Sequence, residues 1–300
     1  MAIIIDEDTK ILIQGITGRE GSARARFMIE YGTKVVAGVT PGRGGEEVWG
    51  IPVYNNVSEA LDDVGEIDAA VTFVPGPQVK SAAVESINAG IKKIIMPVER
   101  VPLHDSLVII SLAKKKGSMV VGPGSAGVIS PGKAVAGWLG GADEAAREAF
   151  KPGEVAVLSR SGGQTTTVSW SIAREGLGVT TAVHIGTEPI LGTTLSEYLI
   201  LCENDDETKA IAIFGEIGGV AEQEAAELIQ QGQVTKPIVA YIAGATLPSG
   251  IRFSHASAIV EGGRGSYKSK RKALEDAGVY VVDKPQDIAR KVVEILGVER

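Results

Sequence analysis

Short apolar runs recur along the chain, each closed by glycine or proline and each followed by residues with helical spacing. The runs at 10–15 (KILIQG), 34–40 (KVVAGVT), 68–75 (DAAVTFVP), 92–98 (KKIIMPV) and 118–122 (SMVVG) read as strands. Between them, 19–32, 57–65, 79–90 and 104–116 carry the apolar spacing of helices. The first and third of these helices end in glycine, and Ser58 offers a cap to the second. Repeated alternation of strand and helix predicts a parallel sheet covered by helices.

The pattern breaks from Gly122 to Gly141, where Gly and Pro are frequent and no period survives. It resumes after residue 151 with strands at 154–159, 180–186, 209–215, 236–244 and 279–283. Helices are expected near 163–175, 192–203, 220–231, 267–277 and 285–296. The expected organisation is therefore α/β throughout: one domain over 1–125, a connecting segment over 126–150, partly strand or turn, and a second doubly wound domain over 151–300.

Composition narrows the function. A length of 300 residues is enough for two ordinary cores. The net charge of −7 argues against nucleic acid or an anionic membrane as the main partner. No apolar run is long enough to span a bilayer, and the N-terminus lacks a basic start, so a cytoplasmic location is expected. The lone Cys202 has no partner for an internal disulfide, which fits a reducing compartment. Acidic neighbours would raise its pKa and speak against a catalytic thiol.

Two glycine turns invite an anion. The first, Gly15-Ile-Thr-Gly18-Arg-Glu-Gly21, ends a strand and opens a helix, where backbone amides suit a phosphate. Its spacing is not the tight dinucleotide fingerprint. An NAD site also wants an acid at the end of the second strand. That strand instead ends in Arg43 among glycines, which suits a ribose bearing an extra phosphate, as in NADP or coenzyme A. The plainer reading is a packing turn with a solvated arginine. The second turn, Ser161-Gly162-Gly163, offers a more open cradle, to which Thr165 and Thr166 could add hydroxyls; the plainer reading is a serine-capped helix.

The stretch 252–266 (RFSHASAIVEGGRGS) holds His255, one of three histidines, among Ser, Ala and Gly. A histidine with that much room is a candidate for chemistry. Glu216, in GEIGG at a strand end, can hold one ring nitrogen and so orient the ring; the alternative is a helix-capping acid. His184 reads as a strand residue and His104 as part of a helix start. A roomy histidine, an orienting acid and an anion cradle together suggest a phosphorylated histidine. The chain has no GxxxxGK[ST] loop, so the nucleotide step belongs elsewhere, most simply on a partner subunit.

With those residues in place, the chain resembles the alpha-subunit family of succinyl-CoA synthetase (succinate–CoA ligase, NDP-forming) over essentially its whole length. The matching strings are QGITGREG, GVTPGRGG, FVPGP, the frame at 122–132, SRSGG, GEIGG, TKPIVAYIAG and HASAIVEGGRG. The resemblance implies a Rossmann-like CoA-binding domain followed by a flavodoxin-like ligase domain. It implies that a small carboxylic acid is activated as an acyl phosphate and that CoA displaces phosphate. The phosphoryl group would pass through His255, with Glu216 contacting the ring and Ser161, Gly162 and Gly163 binding phosphate. CoA would lie at Thr17, Gly18, Arg19, Glu20, Arg43, Val74, Pro75 and Glu99. ATP or GTP with Mg2+ would sit on an ATP-grasp beta subunit, in a heterodimer or heterotetramer, and this chain itself would hold no metal.

Some positions depart from the family pattern. Gly124 stands where an asparagine is usual, Arg43 where a lysine is usual, and Gly163 where a threonine is usual. Thr187 and Glu188 fall in the string that usually reads GGDPIPG, and Ser254 and Ser257 replace glycines beside His255. These changes leave the phosphoryl chemistry in place but open the identity of the acid: malate, citrate or sulfoacetate beside succinate. Outside the family's activity, two other readings fit the residues: an NADP-dependent oxidoreductase and a CoA-binding subunit without catalysis.

Overall fold

The computed structural model describes residues 3–246, 255, 260 and 265–297. Its first sheet is built from β1 (Ile11–Gln14), β2 (Val35–Val39), β3 (Glu47–Val48), β4 (Ile51–Tyr54), β5 (Ala69–Thr72), β6 (Lys93–Ile95) and β7 (Met119–Val121). Helices α1 (Arg19–Tyr31), α2 (Val57–Val64), α3 (Val79–Asn88) and α4 (Leu103–Lys116) connect them, with a 3-10 turn at Gly76–Gln78. The order is β3-β4-β2-β1-β5-β6-β7, parallel except where β3 turns back on β4. Leaving out β3, the strands run third, second, first, fourth, fifth, sixth, which is the Rossmann order.

The second sheet follows β8 (Gly127–Ser130), β9 (Ala134–Gly137) and α5 (Asp143–Ala149). It then alternates β10 (Pro152–Ser159), α6 (Gly162–Arg174), β11 (Val179–His184), α7 (Leu195–Glu203), β12 (Ala210–Glu216) and α8 (Ala221–Gln230). The chain continues through β13 (Ile238–Ala243), α9 (Tyr267–Asp276), β14 (Tyr280–Val281) and α10 (Asp287–Leu296). The order is β14-β13-β12-β10-β11-β8-β9. Its five parallel strands have the flavodoxin-like arrangement, second-first-third-fourth-fifth. The expected α/β class and both strand arrangements therefore hold.

Two expectations need correction, and one hairpin lay outside them. The second sheet is mixed rather than all parallel: the connecting stretch, expected to be partly strand or turn, supplies a hairpin in which β8 pairs antiparallel with β11 and with β9. Gly127 and Gly137 let those strands approach closely. A Cβ on Gly127 would stand 2.0 Å from the Ala136 carbonyl oxygen, and one on Gly137 would stand 2.4 Å from that of Ala126. Glycines needed for close approach are what hid the strands' alternation. The short β3–β4 hairpin went unread because Trp49 and Gly50 at its turn, both at positive φ, interrupt the apolar run. The cap of α2 is Asn56, which accepts the Glu59 N–H at 2.9 Å, and not Ser58.

The core follows the strand period. In β1, Ile11 and Ile13 join one apolar cluster while Leu12 joins another on the opposite face. The first cluster runs on through β8, β9 and β10, so the two sheets share a buried wall. Polar bonds stitch that wall. Thr33 Oγ1 donates to Val135 O and accepts from Val135 N, each at 2.9 Å, and Ser130 Oγ donates to Ile5 O at 2.7 Å. No helix among the described residues is long and apolar enough to cross a membrane.

Candidate active site at the strand ends of the second sheet

The order of the second sheet dictates where a ligand can sit. From β10 the chain leaves through α6 toward β11, and from β12 through α8 toward β13 on the other side of the sheet. The two connections part at the carboxyl ends of β10 and β12, and ligands bind at such switch points in open α/β sheets. Arg160 follows β10 there, its N–H bonded to the Phe214 carbonyl of β12 at 2.9 Å, and Glu216 ends β12.

One carboxylate joins two partners, a guanidinium and an imidazole. Glu216 Oε1 lies 3.3 Å from Arg160 Nε, and Glu216 Oε2 lies 2.6 Å from His255 Nδ1. Arg160 and Glu216 keep only 11% and 12% of their side-chain surface, and His255 keeps 23%. A carboxylate can only accept, so Nδ1 carries the proton. In the neutral ring the lone pair is then on Nε2, the nitrogen turned away from Glu216. The small residues that crowd His255 in sequence, Ser254, Ala256, Ser257, Ala258, Gly262 and Gly263, lie outside the described residues.

The turn after Arg160 is held by the Ser159 hydroxyl. Ser161 N–H donates to Ser159 Oγ at 3.0 Å, and that hydroxyl donates back to Ser161 O at 2.8 Å. The Ser161 side chain makes no capping bond, so the serine-capped reading of α6 falls and its first amides have no side-chain cap. Thr165, expected to lend a hydroxyl to the cradle, is fully buried and donates to Ser161 O at 2.8 Å instead. Nothing lies within 4 Å of a Cβ placed on Gly163, whereas one on Gly162 would meet Ala126 Cβ and His184 Nδ1 at 3.2 Å.

His184, the last residue of β11, lies beneath that turn. Its Nδ1 accepts the Ala126 N–H at 2.7 Å, and its Nε2 is 3.2 Å from Arg160 O. Burial is the main reason its pKa falls to about 4, with the charges of Arg160 and His255 acting the same way. The ring is thus a neutral strut. Glu188 is buried and accepts the Arg100 N–H at 2.6 Å, tying the two halves together. His104 is exposed beside Asp105 at the start of α4. Cys202 is fully buried, and burial foremost pushes its thiol up to about 12.

A second cavity, of about 580 Å3, opens at the carboxyl ends of β1, β2 and β5. Of the eight residues expected around CoA, it gathers Thr17, Gly18, Val74 and Pro75. Gly15 has φ +79°, and a Cβ there would stand 2.4 Å from Phe73 O, so the loops after β1 and β5 touch only because it is glycine. Arg19 and Glu20, the exposed first residues of α1, do not line the cavity, and neither does exposed Glu99. Arg43 is exposed, outside the lining, and its Nη2 pairs with Glu46 Oε2 at 2.6 Å. Phe73, at the end of β5, lines the cavity with Val74 and Pro75; Gln14 and Thr40 also line it and were not among the expected residues. The usable signal was polarity at the end of an apolar strand: Gln14 is buried, its amide donating to Ala82 O at 2.8 Å.

Comparison with known proteins agrees with this division of labour. Residues 6–99 match the CoA-binding domain family and residues 158–280 the CoA-ligase family. Over 296 residues the chain is 47% identical to an alpha subunit of ADP-forming succinate–CoA ligase from Archaeoglobus fulgidus, covering 99% of this chain and 100% of that one. It is 43% identical to a subunit of an ADP-forming sulfoacetate–CoA ligase from Acholeplasma sp, with 100% of each chain covered. In three dimensions it matches ATP citrate lyase from Methanothrix soehngenii, solved in complex with citrate and coenzyme A, with a TM-score of 0.91 and 25% identity. That match covers 99% of this chain and 52% of the lyase, so this chain spans about half of the larger protein. The arrangement and the full-length likeness lead to one conclusion: this chain belongs to the family of ADP-forming CoA-ligase alpha subunits, with a CoA-binding domain followed by a CoA-ligase domain.

Proposed function

We propose that this chain is the alpha subunit of an ADP-forming acid–CoA ligase and carries the phosphoryl group on Nε2 of His255. The 2.6 Å contact between His255 Nδ1 and Glu216 carries this reading, because it leaves Nε2 as the nucleophile. Nε2 attacks the terminal phosphorus of a nucleoside triphosphate. The N–P bond forms, the P–O bond breaks, and the diphosphate leaves with the electron pair. Glu216 stabilises the positive ring that results. A carboxylate oxygen of the acid then takes the phosphoryl group, breaking N–P and giving an acyl phosphate. The CoA sulfur attacks the acyl carbon, the C–O bond breaks, and inorganic phosphate departs as the thiol loses its proton. The turn at Ser161, Gly162 and Gly163 suits the charge on the phosphoryl group through the amides of Gly162 and Gly163, which have no side-chain cap, Ser161 N–H being bonded to Ser159 Oγ.

The nucleotide and its Mg2+ belong, on this reading, to an ATP-grasp beta subunit in a heterodimer or heterotetramer; the relatives' names favour ATP. CoA occupies the first domain, with Thr17, Gly18, Val74 and Pro75 at its cavity and Arg19, Glu20, Arg43 and Glu99 around the rim. The domain division at about residue 125 follows, with the β8–β9 hairpin serving the second unit. The acid is a small carboxylate of the succinate or sulfoacetate kind, each with a second anionic group. Incubation of the reconstituted pair with labelled ATP is expected to leave acid-labile phosphate on this chain. Labelling that persists in His255→Asn would overturn the assignment. Loss of CoA thiol across a set of small carboxylates identifies the acid.

A further inference from the structure

Lys270 and Glu222 are each 1% exposed, and nothing in the chemistry above uses either. We infer that this buried pair is a positioning device for Glu216, an inference that rests on His255 being the phosphoryl carrier. Lys270 Nζ donates to Glu216 O at 2.7 Å, to Gly218 O at 2.6 Å and to Glu222 Oε2. Its three donors therefore have three acceptors. The other Glu222 oxygen accepts the Glu216 N–H at 3.2 Å. Both main-chain groups of Glu216 are thus gripped, one by α8 and the other by α9.

The surroundings are cut to fit the grip. A Cβ on Gly215 would stand 2.5 Å from Glu222 Oε1, so glycine at that position admits the carboxylate. Gly218 N–H donates to Gly265 O at 2.8 Å. Gly265 and Lys270 lie in the segment that follows His255 along the chain. The other side is tied as well: Ile217 N–H donates to Ala243 O at 3.0 Å, before the histidine segment begins. The pair therefore anchors the strand end that presents Glu216 and the exit of the segment that presents His255. A buried ion pair adds little net stability over apolar residues of similar volume. It does fix geometry, and it is neutral overall, so it leaves the charge around Glu216 and Arg160 unchanged.

The test uses the full-length chain with its beta subunit. Lys270→Met/Glu222→Met removes both charges and keeps the volume. We expect the rate of His255 labelling from ATP to fall about tenfold to a hundredfold, as a misplacement near 1 Å would cause, with CoA affinity within about twofold. In a Glu216→Gln background the same double substitution is expected to change the rate by less than about twofold, because both act through one carboxylate. Labelling at the parent rate, or full additivity with Glu216→Gln, overturns the inference. If the double variant does not fold, Gly215→Ala displaces the Glu222 carboxylate with both charges intact and is read by the same criteria. If the parent pair takes no label, it is the proposed function that fails. The clamp is then judged from the His255 ring signals in nitrogen NMR. A shift shared by Glu216→Gln and Lys270→Met/Glu222→Met upholds it, and unchanged signals in the latter overturn it.

Discussion

His184 accepts the Ala126 N–H on its Nδ1 at 2.7 Å, so the end of β11 and the start of the β8–β9 hairpin share one hydrogen bond. A second proton on that ring would set two donors face to face. Folding therefore selects the neutral ring, and the folded pKa of about 4 lies below the ordinary 6.5. Because the unfolded chain binds the proton more readily, the stability that His184 contributes is fully present above pH 6.5 and is lost as pH drops toward 4. At about 1.4 kcal/mol per pH unit the loss reaches about 3 kcal/mol at the lower end. Denaturant titrations from pH 4 to 7 should show that slope, and His184→Gln should flatten it; an unchanged slope refutes the strut.

Glu216 is expected to matter through charge as well as through position. Glu216→Gln keeps the volume but removes the anion that faces both Arg160 and His255. Labelling of His255 should slow about 10- to 100-fold, the range for losing a group that orients a working histidine. Rapid-quench measurement with labelled ATP checks this, and a change under twofold would count against the role.

The two glycines of the cradle should respond in opposite directions. Gly163→Ala places its methyl in open space and should stabilise by up to about 1 kcal/mol, since alanine loses less backbone entropy in a helix. Gly162→Ala presses on Ala126 and His184 at 3.2 Å and should cost about 1 kcal/mol or more. Urea unfolding of the two variants separates them; the reverse order would contradict the packing described.

Gly15→Ala combines a positive φ with a 2.4 Å approach to Phe73 O. A loss of about 2 kcal/mol or more is expected, together with weaker CoA binding by calorimetry. Gly42→Ala is the control. It shares a positive φ, +78°, but its methyl meets nothing, so about 1 kcal/mol is expected. Equal effects at both sites would show that the close approach in the cavity is unimportant.

Cys202 should be inert. With its thiol pushed up to about 12, the thiolate is scarce at pH 8, and the side chain is fully buried besides. Iodoacetamide at pH 8 should leave the native chain unmodified by mass spectrometry and label it fully in guanidinium. Rapid native labelling would disprove this.

Elements with an uninterrupted period were legible from residues alone. Gly32, at φ +106°, closes α1 in the left-handed conformation that only glycine adopts readily, and the stop was readable for that reason. The β8–β9 hairpin was not, because Gly127 and Gly137 serve a neighbour that local sequence does not reveal. In the site, His255, Glu216 and Ser161–Gly163 stood out by residue type. Arg160 did not, because an arginine in a strand-end turn is usually solvated, and its pairing with Glu216, 56 residues away, is set by the fold. Lys270 hid for the same reason: in a helix with Lys268, Arg271 and Lys272, it looks like one more surface cation.

The sequence by itself determined the strand and helix alternation, the phosphate-friendly turns and the family, because those depend on local periodicity and on ordered short motifs. Only the tertiary structure decided which cations stay in water and which are buried. Arg43 and Lys270 carry the same charge, yet one pairs with Glu46 at the surface while the other lies buried beneath Glu216. Burial depends on where distant strands and helices come to rest, and that is a property of the packed chain rather than of any segment.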